Sequence, residues 1–260
     1  MRNKLGGDDR NKFMMNLAPS LFGRLSKVTR VLILISLAVF VLEFFIRGYI
    51  IYFLGLVPVK VLGSGWLWQI FTYLFVHGGF WHFFFNMLML WIFGGIMERT
   101  MGGAEFLRYF LVTGVGAGIV TLLFSPNSSV PVVGASGAIY GLMIAFAIFY
   151  PDAKVYLYFL FPVTSRQMVI FLVILELAMS FSGTNPHVAN VAHLGGMLVG
   201  YLYLRRSRMS GAVGRMKNLF ARQKNPEDEI NRILSKISRK GINSLSRSEK
   251  EFLDKFSGRS

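Results

Sequence analysis

Residues 134–150 read Gly-Ala-Ser-Gly-Ala-Ile-Tyr-Gly-Leu-Met-Ile-Ala-Phe-Ala-Ile-Phe-Tyr: a serine in a small-residue turn, then an apolar run without a charge. Two other apolar runs also carry polar groups, His82-x-x-x-Asn86 in residues 80–98 and His193 in residues 187–205. A hydrogen-bonding or ionisable side chain in hydrocarbon costs a few kcal/mol or more unless it finds a partner. A serine, two histidines and an asparagine in such runs therefore mark a candidate functional site.

The rest of the chain explains why these runs are read as membrane segments. Of its 260 residues, 53% are hydrophobic and 16% charged, with 25 Phe, and the mean hydropathy of +0.50 is far above that of a soluble domain. Residues 1–30 hold seven Lys/Arg against two Asp/Glu, 31–204 hold six against five, and 205–260 hold fifteen against six, so the +15 balance belongs to the ends. Basic flanks beside the first and last apolar runs fit the positive-inside rule and anionic headgroups at the cytoplasmic face better than nucleic acid. With no Cys, disulfides, thiolate metal sites and cysteine nucleophiles are excluded. The run Val31–Ile46 contains Glu43, lacks a small-x-small cleavage site and precedes five more such runs, so it reads as a retained helix rather than a signal peptide.

A spanning helix needs about 20 mostly apolar residues, and about 17 suffice with snorkelling flanks. Six segments are counted, 29–47, 80–98, 106–125, 135–150, 167–183 and 187–205, giving an all-α polytopic membrane protein; the fourth is short, which suits a helix that starts below the outer surface rather than at it. Residues 49–79 hold two shorter apolar pieces around Leu62-Gly63-Ser64-Gly65, expected to form a re-entrant or interfacial first outer loop, with Trp66, Trp68 and Trp81 at the membrane boundary. Arg99, Arg108, Lys154, Arg166 and the run Arg205-Arg206-Ser207-Arg208 place one set of connections and both termini in the cytoplasm. Residues 126–134 and 184–186, without Lys or Arg, lie outside, and Arg47 and Lys60 of the long outer loop depart from the rule. The domains are then a basic cytosolic segment (1–28), a six-helix membrane domain (29–205), a basic linker (206–224) and a small cytosolic helical hairpin (225–260). In the last, Asn225-Pro226 starts a helix with Ile230, Ile233, Leu234 and Ile237 at helical spacing. Ser246-x-x-Glu249 reads as a capping box before Phe252, Leu253 and Phe256.

Depth within this topology brings the polar groups together. His82 and Asn86 lie in the first two turns of the second segment, Ser136 at the outer end of the fourth and His193 about two turns into the sixth. The spacing of His82 and Asn86 puts both on one helix face, where they can point at a developing oxyanion; interhelical hydrogen bonding, worth roughly 0.6–2 kcal/mol, is the plainer alternative. For Ser136 the plainer alternative is tight helix packing, and both roles are compatible. Gly137-x-x-x-Gly141 and Gly196-x-x-x-Gly200 are small-residue faces that allow the close backbone approach a Ser–His contact requires. His193 is the natural general base. No Asp or Glu is placed at the same depth to orient it, which predicts a dyad, and Glu176, two turns below the outer end of the fifth segment, is expected to face helix partners or water. His77 is expected to anchor the loop before the second segment and His187 to be solvated. No H-E-x-x-H pattern or third convergent ligand is present, so neither metal nor cofactor is expected.

In order along residues 25–205, Trp68, His82-x-x-x-Asn86, Glu98-x-x-x-Gly102, Gly134-x-Ser136-Gly137 and Ala192-His193-x-x-Gly196-x-x-x-Gly200 resemble the rhomboid family of intramembrane serine proteases. The resemblance implies that Ser136 is the nucleophile, His193 its base, and His82, Asn86 and the Ser136 backbone N–H an oxyanion hole. It also implies that Tyr140 packs on the His193 ring in place of an orienting Asp. Six helices around a water-filled outer cavity, and cleavage of single-span substrates near their outer membrane boundary after a small residue, are further implications, with a bacterial inner membrane as the location. Trp68-Gln69 stands where many rhomboids have Trp-Arg, and Val191 stands where Gly is frequent. The tail beyond Arg206 resembles a small extension found on some bacterial rhomboids. A client-binding pseudoprotease is the alternative, which the presence of Ser136 and His193 opposes. A proton relay would need polar residues through the full depth, and the lower halves of the second, fourth and sixth segments are apolar.

Overall fold

The structure is a computed structural model that describes residues 26–157, 161–181, 187–206 and 226–241, together with Ser244, Leu245, Ser246, Glu249 and Leu253. The basic N-terminal segment up to residue 25 and nearly all of the linker expected over 206–224 lie outside the described residues, as does the 184–186 connection. The chain divides into two compact units, Met1–Arg206 and Ser207–Ser260.

In the first unit the helices are α1 (Lys27–Leu54), α2 (Pro58–Ser64), α3 (Gln69–Thr72), α4 (Phe80–Met101), α5 (Gly103–Phe124), α6 (Ser136–Phe149), α7 (Ser165–Phe181) and α8 (His187–Arg206). Each expected segment coincides with one of these, its ends displaced by a few residues. The largest difference is α1, which continues to Leu54 across a kink at Ile46 (φ −135°, ψ 39°). Three of them, α1, α4 and α5, are long and apolar enough to cross a bilayer by length and composition. Large apolar side chains on α1, α5 and α7, such as Phe44 at 86% and Phe124 at 75% exposure, face away from the protein, as suits an apolar solvent. Besides an isolated bridge between Leu56 and Val132, the described residues hold one pair of strands, β1 (Lys154–Leu157) and β2 (Phe161–Thr164). They form an antiparallel hairpin, in register from Lys154 opposite Thr164 to Leu157 opposite Phe161, that joins α6 to α7.

α8 packs mainly on α5 and α6, and the core between them is filled by Tyr109, Phe110, Ala138, Leu142 and Phe146. The buried phenols are satisfied by main chain: Tyr73 Oη donates to Gly114 C=O and Tyr109 Oη to Gly141 C=O, each at 2.7 Å. α4 is clamped by α1 at both ends. At one, the Glu98 carboxylate accepts the Val28 and Thr29 amides (2.9 and 2.8 Å) and the Thr29 hydroxyl (2.8 Å), capping the first turn of α1. At the other, Glu43 accepts the amides of His77 and Gly78, both at 2.7 Å, and Arg47 donates to the Gly78 carbonyl. Between them Phe40 stacks on Phe83 with ring centroids 4.4 Å apart.

The loop 55–79 is tied down by Gln69 and its neighbour Trp68. Gln69 is fully buried; its Oε1 accepts the Val57 amide at 3.0 Å and its Nε2 donates to Tyr52 C=O at 3.1 Å, while Trp68 Nε1 donates to Phe53 C=O at 2.8 Å. Lys60, the other cation that breaks the loop-charge pattern, lays its ammonium on the Tyr52 and Trp66 rings. Gln69→Leu should therefore strand the Val57 amide and lower stability by about 1–3 kcal/mol, read as a fall in the unfolding midpoint in detergent. An unchanged midpoint would show that water replaces the amide.

In the second unit α9 (Pro226–Lys240) begins at the expected proline and buries Ile233. The capping box is reciprocal: Ser246 Oγ accepts the Glu249 amide at 3.3 Å and Glu249 Oε2 accepts the Ser246 amide at 2.8 Å, with Lys236 Nζ on the same oxygen at 2.6 Å.

Candidate active site

Four helices, α4, α6, α7 and α8, and one turn build the site. The turn is Gly134-Ala135, whose Gly134 has φ +113° and gives its amide to Tyr73 C=O at 2.9 Å. A Cβ at Gly134 would stand 2.7 Å from His82 Nε2, so only glycine lets the His82 ring lie over this turn. Ser136 is the first residue of α6, where amides have no acceptor within the helix. His193 lies within α8. Their backbones approach because both faces are glycine: a Cβ on Gly196 would fall 1.9 Å from Gly137 O, and one on Gly200 would fall 3.1 Å from Gly141 Cα.

The result is a hydrogen bond between Ser136 Oγ and His193 Nε2 at 2.8 Å. Tyr140, one turn along α6, stacks on the imidazole with centroids 4.3 Å apart and planes 13° from parallel. On the far side of the ring His193 Nδ1 stands 2.9 Å from Glu176 Oε1, which also accepts the Tyr140 hydroxyl at 2.6 Å. Glu176 is buried on α7. The carboxylate not expected at this depth is thus in contact with the histidine. A signal for it existed: Glu176 and His193 are each about two turns from the segment ends that the 184–186 connection joins, but turn counting places a residue by depth and not by helix face.

The oxyanion candidates flank the turn. His82 Nδ1 lies 2.5 Å from the His77 carbonyl; a carbonyl only accepts, so Nδ1 carries the proton, and Nε2, the nitrogen over Gly134, donates only from the doubly protonated ring. Asn86 is buried and its Nδ2 donates one proton to His82 C=O at 2.8 Å, leaving a second. His77 sits in the loop as expected of an anchor, its amide on Glu43 and its Nδ1 3.1 Å from Phe75 C=O. Burial, then the neighbouring His82, pushes the His77 imidazole down to about 4, so it stays neutral at neutral pH. His187 opens α8, and its side chain lies outside the described residues. If His82 and Asn86 stabilise an oxyanion, His82→Ala and Asn86→Ala should each lower kcat by about 10²–10³-fold with little change in KM. Equal losses in KM alone would instead assign them to substrate binding.

Comparison with known proteins agrees with this architecture. Residues 64–207, more than half of the chain, match the rhomboid domain family, and residues 220–259 match a family of unknown function (DUF6576). The chain is similar to the rhomboid protease GluP of Bacillus subtilis, with 32% identity over 143 residues that cover 55% of this chain and 26% of GluP. It is also similar to the mitochondrial Rhomboid protein 1 of Saccharomyces cerevisiae, with 32% identity over 136 residues, 50% of this chain and 38% of the relative. RHOMBOID-like protein 5 of Arabidopsis thaliana is 29% identical over 149 residues, 57% of this chain and 46% of that protein. The chain thus spans less than half the length of each of these relatives. By the extent of the domain match, and by motifs that stand in order along it, this chain belongs to the rhomboid family.

Proposed function

We propose that the protein is an intramembrane serine endopeptidase that cleaves single-span membrane proteins in or near their transmembrane segment. The observation that carries this reading is the 2.8 Å contact between Ser136 Oγ and His193 Nε2 where the apolar helices α6 and α8 meet. A Ser–His pair within hydrogen-bond reach is what activates a hydroxyl whose own acidity is far too low to ionise at neutral pH. That the similar GluP is named a rhomboid protease supports the same chemistry.

In this mechanism Ser136 Oγ attacks the scissile carbonyl carbon as its proton passes to His193 Nε2. The carbonyl π pair moves onto oxygen, and the oxyanion is held by the Ser136 amide, Asn86 Nδ2 and, with the His82 ring doubly protonated, His82 Nε2. The imidazolium then returns the proton to the leaving amine as the C–N bond breaks. A water, deprotonated by the same ring, hydrolyses the acyl-enzyme and regenerates Ser136. Gly134, Gly137, Gly141, Gly196 and Gly200 serve this by letting the backbones close up. The substrate segment must unwind before attack, which residues of low helix propensity near the scissile bond make easier. The site opens to the extracytoplasmic side of a bacterial inner membrane, both termini are cytoplasmic, and the basic flanks lie on anionic headgroups. Residues 29–205 form the catalytic domain and 225–260 a separate cytosolic hairpin.

The test is incubation of the detergent-purified protein with a fluorophosphonate, with cleavage of a single-span substrate in proteoliposomes alongside. Labelling of wild type on Ser136, with none in Ser136→Ala or His193→Ala, is the expected result. Equal cleavage by wild type and Ser136→Ala would sink the assignment, and a folded wild type that neither labels nor cleaves would move it to client binding.

A further inference from the structure

We infer that Glu176 is a positioning residue that turns the Ser136–His193 pair into a Ser-His-Glu triad whose third member comes from α7. The inference rests on the protease reading for its kinetic consequence and on geometry alone for its structural one. His193 can serve Ser136 only in one of its two neutral tautomers, the one with the proton on Nδ1 and the lone pair on Nε2. Glu176 Oε1, 2.9 Å from Nδ1, selects that tautomer because an ionised carboxylate accepts and does not donate. The same oxygen is fixed by the Tyr140 hydroxyl at 2.6 Å, and Tyr140 also lies flat on the imidazole, so one residue sets both the ring plane and the carboxylate. Ring stacking by itself leaves the tautomer open, because an aromatic face interacts similarly with either form. When the proton arrives on Nε2 in the transition state, the carboxylate faces a full positive charge, which it stabilises more than it does the neutral ring.

A purely structural role predicts something different. Glu176 would then be one more buried acceptor, and its loss would act on folding and on every step alike. Two measurements on the full chain separate the cases. The first is kinetic: Glu176→Gln, which keeps the volume and removes the charge, should lower kcat and the fluorophosphonate labelling rate by about 10²-fold or more. KM and the unfolding midpoint should stay near wild type. Added to His193→Ala, the same substitution should cost nothing further, because residues that act as a unit are non-additive. Wild-type kcat in Glu176→Gln, or a full further loss in the His193→Ala background, would overturn the inference. The second needs no substrate: nitrogen-15 spectra of the histidine-labelled wild type, with His193 assigned by difference from His193→Ala, should show its neutral form protonated on Nδ1. A proton on Nε2 would overturn it. An inactive wild type with Nδ1 protonated would refute the protease reading while leaving the Glu176–His193 contact in place; an active one indifferent to Glu176→Gln would do the reverse.

Discussion

Ser136→Ala is expected to lower the rate of peptide-bond cleavage by roughly 10⁶-fold and to leave the protein folded, since nucleophile and base act as a unit. The substitution removes one hydroxyl and one hydrogen bond, worth about 0.5–1.5 kcal/mol, and leaves the α6–α8 contact untouched. His193→Ala should cost nearly as much in rate and more in stability, because Tyr140 loses its stacking partner, a contact worth about 0.5–1.5 kcal/mol between aromatic rings. The double variant should be no slower than either single one. Rates and unfolding midpoints of the three variants in the same detergent check this together. A Ser136→Ala enzyme within tenfold of wild type would assign the cleavage to another nucleophile or to a contaminant.

Gly196→Ala is the second large effect, and it acts through one methyl group. The added carbon would fall 1.9 Å from the Gly137 carbonyl oxygen, where a carbon–oxygen contact needs about 3.3 Å. α6 and α8 would have to part by more than 1 Å, and the Ser136–His193 hydrogen bond, now 2.8 Å, would stretch out of range with them. Since a misplacement of about 1 Å costs on the order of 10²-fold, labelling of Ser136 should slow by at least that factor, with a loss of about 1–3 kcal/mol in stability from overpacking. Wild-type labelling in this variant would show that the two backbones are not in contact there.

Much of this arrangement was legible from apolar runs and loop charges. Segment positions follow from the length a bilayer demands, and glycines at four-residue spacing on residues 137–141 and 196–200 point to close helix approach. The strands Lys154–Leu157 and Phe161–Thr164 were not legible: four residues give too little alternation to read, and Pro162 argues against a strand. The kink at Ile46 and the helix beyond it were hidden for a related reason, because apolarity continues through the bend. Gln69 could be marked as a departure from a motif, but its three partners on residues 52–57 depend on a loop path that no periodicity encodes. Glu176 illustrates the limit most clearly. Its depth could be counted, whereas its direction around α7 depends on how α7 leans on α6 and α8.

The clamping of α4 by α1 has a consequence for where the working unit begins. Similarity to the family starts at residue 64, but Glu43 and Arg47 hold the His77-Gly78 turn from the part of the chain before it. The His77 carbonyl in turn sets the His82 ring. One of the three proposed oxyanion donors is therefore oriented from outside the recognisable domain. Homology marks what relatives share, and here the mechanical boundary lies some twenty residues upstream of it. A rhomboid core transplanted or trimmed at the similarity boundary would keep its nucleophile and base and lose the scaffold that aims its histidine donor.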